Sequence, residues 1–155
     1  MGLLDFLRSP QPREHAELGP LRYKGGRWRG TIALEQGTRI PLFIPGSRDG
    51  PNPEGLKMAE TATTWWTQAR PEIERELYEH YTNGRDDETS EMPELREQRE
   101  VWAHVAPTSV EIRPFRSLDE MQVAIRTAWD EEHTLGALIC DGRLVGLNGS
   151  ILEPR

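Results

Sequence analysis

The sequence predicts an α+β domain: an antiparallel sheet built from an N-terminal meander and a C-terminal three- to four-strand meander, with two or three central helices packed on it. Three observations predict it. Both ends alternate apolar and polar residues between glycine-marked turns, residues 54–81 repeat apolar side chains at three- and four-residue steps, and 155 residues suffice for one core.

Residues 1–17 read as an N-terminal amphipathic segment and linker, and 18–155 as the single domain. "MGLLDFLRSP" offers Leu3, Leu4, Phe6 and Leu7 but neither the basic start nor the small-residue cleavage site of a signal peptide. It is expected to dock on the body or fray.

From Leu18 to Ile44 the signals are those of three antiparallel strands. Gly25-Gly26 supplies the first turn and Gly37 the second, and Ile40, Leu42 and Ile44 alternate in the third strand. Pro41 cannot donate to a ladder, so that strand is expected at an edge or with a bulge.

Leu56, Ala59, Thr63, Trp66, Ile73 and Leu77 then mark a helical face. Pro71 within it predicts a kink or two successive helices. Residues 82–91, "TNGRDDETSE", read as a solvated loop, and a further helix is expected from Pro93 to about His104 with Leu95 and Trp102 inward.

The last third returns to strands, beginning with "SVEIRPF". In "MQVAIRTAW" Met121, Val123, Ile125, Thr127 and Trp129 share one face at period two. Ser117 and Glu120 also fit a helical capping box, but the β-branched Val123, Ile125 and Thr127 favour the strand. "TLGALIC" and "RLVGLNGSI" follow, joined by the hairpin pair Asp141-Gly142.

The net charge of −7 speaks against nucleic acid or an anionic membrane as the main partner, since both need clustered Lys and Arg. The charge is uneven, with eleven acidic and four basic residues between 71 and 100. No apolar run reaches 18 residues, which predicts no stable membrane insertion. A single cysteine, Cys140, excludes an intrachain disulfide framework and points to a reducing, cytoplasmic setting. It sits in an apolar run without a C-x-x-C partner, as a buried, inert thiol does.

Two regions are candidate sites. Trp129, Asp130, Glu132 and His133 form a corner between two strands. Its carboxylates and histidine can bind a divalent cation or act as a general base, or they can make a polar turn in which Asp130 accepts backbone N–H groups. Alternation along an extended chain sets Asp130 and Glu132 on one side and Glu131 and His133 on the other unless a bulge re-aims them, and no H-E-x-x-H or H-x-x-x-H spacing occurs. Trp65, Asp86, Asp87 and Glu88 are candidate partner contacts, an aromatic anchor and part of the acidic stretch. His80, between Tyr78 and Tyr81, reads as a helix end. "GGRWRG" lacks the Lys-Ser/Thr and helix of a phosphate loop.

The run "TAWDEEHTLGALICDGRLVGLNGSI", preceded by "VWAHVAPTSVEI", resembles a set of bacterial domains of unknown function that share a W-D-x-E-H-x-L-G corner in the last β-hairpin. The likeness spans residues 18–151 and is specific from Trp102 onward. It implies no catalytic residues, and some related domains look like immunity proteins of toxin systems.

The expectation that follows is a non-enzymatic, protein-binding module of bacterial type, immunity- or inhibitor-like, with no cofactor. A protein is the expected partner, and a homodimer through the hairpin edge stays open. The alternative is a metal-assisted hydrolase centred on the Asp130–His133 corner.

Overall fold

The computed structural model describes residues 10–85, 92–114 and 119–155. Strands β1 (Arg13–His15), β2 (Gly19–Lys24), β3 (Arg27–Glu35) and β4 (Thr38–Ser47) pair antiparallel in sequence order, and the short β5 (Gly50–Pro51) folds back on β4. Helix α1 (Pro53–Asn83) and a 3-10 helix (Gln98–Ala103) follow. A second antiparallel meander then runs through β6 (Val105–Pro114), β7 (Asp119–Thr127), β8 (Asp130–Cys140) and β9 (Arg143–Asn148).

The expected fold class is corrected on two counts. The two meanders lie side by side in one nine-stranded sheet, and the join between them is parallel, so the sheet is mixed rather than antiparallel. The connection dictates this: a chain that leaves β4, runs the length of a helix and returns beside β4 re-enters in the same direction. The helical content is also smaller than two or three helices packed on a sheet. Among the described residues one long helix and one short 3-10 helix account for it.

Pro71 does not divide α1. The helix continues from Pro53 to Asn83, with Pro71 on its exposed side, where the carbonyl freed four residues back can bind water. Asn52 caps its start, accepting the Gly55 N–H through Oδ1 at 2.8 Å. The helix expected over 93–104 is the single 3-10 element, held at its start by the Glu100 carboxylate, which accepts the Arg96 and Glu97 N–H groups.

β7 occupies the segment where strand and helix competed, and Ser117 of the competing box lies outside the described residues. β4 is an interior strand rather than an edge, and its pairing with β6 begins at Leu42, one residue beyond Pro41. Asp141 and Gly142 both take positive φ, 47° and 73°, as their hairpin pair requires. Of the N-terminal segment, residues 1–9 are outside the described residues, and part of the linker forms β1.

α1 buries one stripe, Met58, Ala62, Trp66, Ala69, Ile73, Leu77 and Tyr81, against the inner sheet face. That face presents Trp28, Leu42, Ile44, Val110, Ile112, Val123, Ile125, Leu135 and Ile139. The sheet curves round the helix. Near its start α1 meets β1 through His15 and Glu60, and farther on Glu72 meets Leu144 in β9. Among the described residues no helix is long and apolar enough to cross a membrane.

The seam between the meanders is narrow. Only Leu42–Val110 and Phe43–Glu111 pair across it, although both strands are ten residues long. The strands splay on either side. One cavity, of about 180 Å³, opens among Leu34, Glu35, Thr38, Ile40, Val105 and Pro107, and another, of about 160 Å³, among Gly26, Arg27, Phe43, Pro45, Glu111 and Ile112.

Candidate functional site

The corner expected at Trp129–His133 is the β7–β8 turn, docked on the end of α1. Trp129 is 9% exposed and its ring stands edge-on to Tyr81, with centroids 5.5 Å apart. Its indole N–H donates to Nδ1 of His80 at 3.0 Å. Nδ1 is thus the accepting nitrogen of the His80 ring, and Nε2 lies 4.0 Å from Oδ2 of Asp130.

Asp130 closes the turn. Its Oδ1 accepts the backbone N–H of His133 at 3.2 Å and lies 2.9 Å from that residue's Nδ1. His133 is half exposed, and its Nε2 has no partner among the described residues. Glu131 and Glu132 are exposed. The corner therefore brings together His80, Trp129, Asp130 and His133, and leaves Glu132 outside. Among the described residues no group of three or more His, Cys, Asp or Glu side chains is arranged to hold a metal ion.

The other expected contacts are less informative. Trp65 is half-buried and packs against the core, and Asp86, Asp87 and Glu88 lie outside the described residues. Several acidic side chains near that stretch are engaged within the fold. Glu74 accepts the indole N–H of Trp102 at 2.6 Å, and Glu72 accepts the N–H of Leu144 at 2.8 Å and pairs with Arg143.

A second constellation lies on the outer face of the sheet. Alternation in β3 sends Trp28 inward and Arg27 and Arg29 outward. Their guanidinium carbons stand 5.7 and 5.6 Å from the ring centre of Phe43, a distance for cation–π attraction. Glu111 of β6 lies 3.9 Å from Arg27 and 3.3 Å from Arg113. Arg126 of β7 lies on the same face, farther along the strands, and is two-thirds exposed. The Nε of Arg29 is buried without a hydrogen-bond partner among the described residues.

The family model for a domain of unknown function, DUF6985, matches residues 17–150. The chain belongs to the DUF6985 family. No curated protein and no solved structure matches it.

The sequence reading of this DUF6985 domain missed two things. His80 was set aside as a helix end, and nothing in sequence marks a residue 49 positions away as the acceptor for Trp129. The outer arginines carry a signal, since Arg27 and Arg29 two residues apart in a strand share a face, and a comparison of "GGRWRG" with a phosphate loop does not catch it. In this DUF6985 chain Cys140 is half-buried. Burial raises its thiol pKa, and the nearby carboxylates of Glu120, Asp141 and Asp119 raise it further, which disfavours the thiolate.

Electrostatics also fix the β8–β9 hairpin on α1. The Leu144 N–H, with the Arg143 guanidinium, holds the Glu72 carboxyl below its ordinary pKa. A lowered folded value means that the associated stability is present above the ordinary carboxylate pKa of about 4.3 and is lost as pH falls through the folded value. The Leu144 amide proton shift should accordingly move upfield through that acid range. It should stay flat in Glu72→Ala, and a flat native titration would contradict the assignment.

Proposed function

We propose that this domain is a non-enzymatic module that binds another protein, taking an acidic segment of its partner on the outer sheet face. One observation carries the reading: on a chain of net charge −7, Arg27, Arg29, Arg113 and Arg126 share one face of the sheet, Arg27 and Arg29 against Phe43. Among the described residues, Glu111 and Glu153 are the carboxylates that pair with these arginines. Charge of opposite sign on a partner raises the association rate and fixes orientation. An immunity-type inhibitor works by such binding, and the sequence resemblance speaks for that narrower form.

The test compares the native chain with Arg113→Glu/Arg126→Glu as baits in a lysate of the source cells, at low and high salt. A protein should be recovered by the native chain at low salt, be depleted at high salt, and be lost with the double variant. Equal recovery by both baits, while the variant keeps its circular dichroism spectrum, would overturn the outer-face reading.

A further inference from the structure

The outer face is already occupied in part by the chain itself. After β9, residues 149–155 turn back across it. The N–H of Ile151 donates to the Thr134 carbonyl at 2.9 Å, and Ile151 packs over Gly136, where a Cβ would come within 2.7 Å of its Cγ2. Glu153 then pairs with Arg126 at 2.9 Å and accepts the Thr134 hydroxyl at 3.1 Å. The carbonyl of Arg155 accepts from Nη2 of Arg29 at 2.5 Å.

The reach is consistent with an extended strap. From β8, where Ile151 is seated, to β3 there are four strand spacings, about 19 Å; an extended chain from Ile151 to Arg155 covers about 13 Å of this and the Arg29 side chain spans the rest. The strap thus reaches from β8 to the Arg29 guanidinium, which lies by Phe43 of β4. It uses an apolar anchor over a glycine, a carboxylate two residues later, and a backbone carbonyl on Arg29, while Leu152 between the anchors is 94% exposed. Ile151 and Glu153, anchored on either side of a free Leu152, follow the alternation by which a surface reads an extended peptide.

We infer that residues 151–155 occupy in cis the track that a partner's segment takes, so that the protein is self-capped. This rests on the outer-face reading and adds a recognition pattern: a branched apolar residue followed two positions later by a carboxylate. A tethered segment competes at an effective concentration of roughly millimolar, so a segment binding in trans meets a face that is mostly occupied.

The probe is a synthetic peptide of residues 149–155, Gly-Ser-Ile-Leu-Glu-Pro-Arg, titrated into the ¹⁵N-labelled full chain. Ile151→Ser/Glu153→Gln loosens the strap. This variant should bind the peptide at least about tenfold more tightly than the native chain, with amide shifts at Arg126, Thr134 and Gly136. Adding Gly136→Ala fills the seat of Ile151 and should abolish the gain. Single Glu153→Gln, a milder change, should fall between the two and serves if the double variant fails to fold. A folded variant that shows no shifts at those amides, or a native chain that binds equally well, would refute self-capping. If a lysate partner is still lost with Arg113→Glu/Arg126→Glu, the outer-face reading stands without the strap.

Discussion

Trp129→Ala should lower stability by about 3–5 kcal/mol, a large part of the total for a domain of this size. The indole is almost wholly buried at the tip of a hairpin, packed edge-on against Tyr81 and bonded to His80. Tyr81 is itself 1% exposed, and its hydroxyl donates to the Pro93 carbonyl at 2.8 Å and accepts the Leu95 N–H at 3.1 Å. Removing the indole therefore opens a void beside a buried polar network that ties the end of α1 to the segment before the 3-10 helix. Trp129→Phe keeps an aromatic ring and loses only the donor. His80 is partly exposed and can turn to water, so the cost there should be about 1 kcal/mol. Chemical denaturation of both variants measures this, and a Trp129→Ala protein as stable as the native chain would mean that the turn is not pinned by its tryptophan.

The strands were largely legible because each carries its own local signal. Val123, Ile125 and Thr127 announce β7 by alternation and branching, and Asp141-Gly142 announces the β8–β9 turn by its φ requirement. What stayed hidden depends on groups distant in sequence. The parallel seam is set by where β6 returns after α1, and no residue of β4 or β6 encodes the direction of its neighbour. The unbroken course of α1 through Pro71 depends on which side of the helix meets solvent, a matter of tertiary context.

The same distinction separates the two candidate sites. The corner residues are close in sequence, and a motif drew attention to them, yet their geometry is that of a turn lock completed by a distant histidine. The outer face draws on β3, β4, β6, β7 and the segment after β9, each contributing one or two residues. Counted along the chain, the acidic excess at 71–100 suggested that charge recognition would use carboxylates. In the fold Glu72 and Glu74 are tied to β9 and Trp102, whereas the arginines, scattered in sequence, share the outer face.

Gly46→Ala should cost about 3 kcal/mol or more, because there is no side chain to give way. A Cβ at this position would lie 2.5 Å from the Gly50 carbonyl oxygen, 2.7 Å from the Pro51 Cα and 2.9 Å from the Asn52 nitrogen, all backbone atoms. Gly46 pairs with Pro51 where β5 folds back on β4, one residue before the Asn52 cap of α1. The Asn52 N–H donates to the Pro45 carbonyl at 2.7 Å, so the clash falls on the join that launches the helix. Relief requires β5 to move away, and the cap that Asn52 gives to Gly55 moves with it. Gly146→Ala supplies the control: nothing lies within 4 Å of a Cβ there, on the edge strand β9, so its midpoint should match the native chain within about 0.5 kcal/mol. Equal urea midpoints for the two variants would show that the β4–β5 turn tolerates a shift its backbone contacts do not suggest. A loss confined to Gly46→Ala, accompanied by faster amide exchange at Gly55 and Leu56, would place the damage at the start of α1.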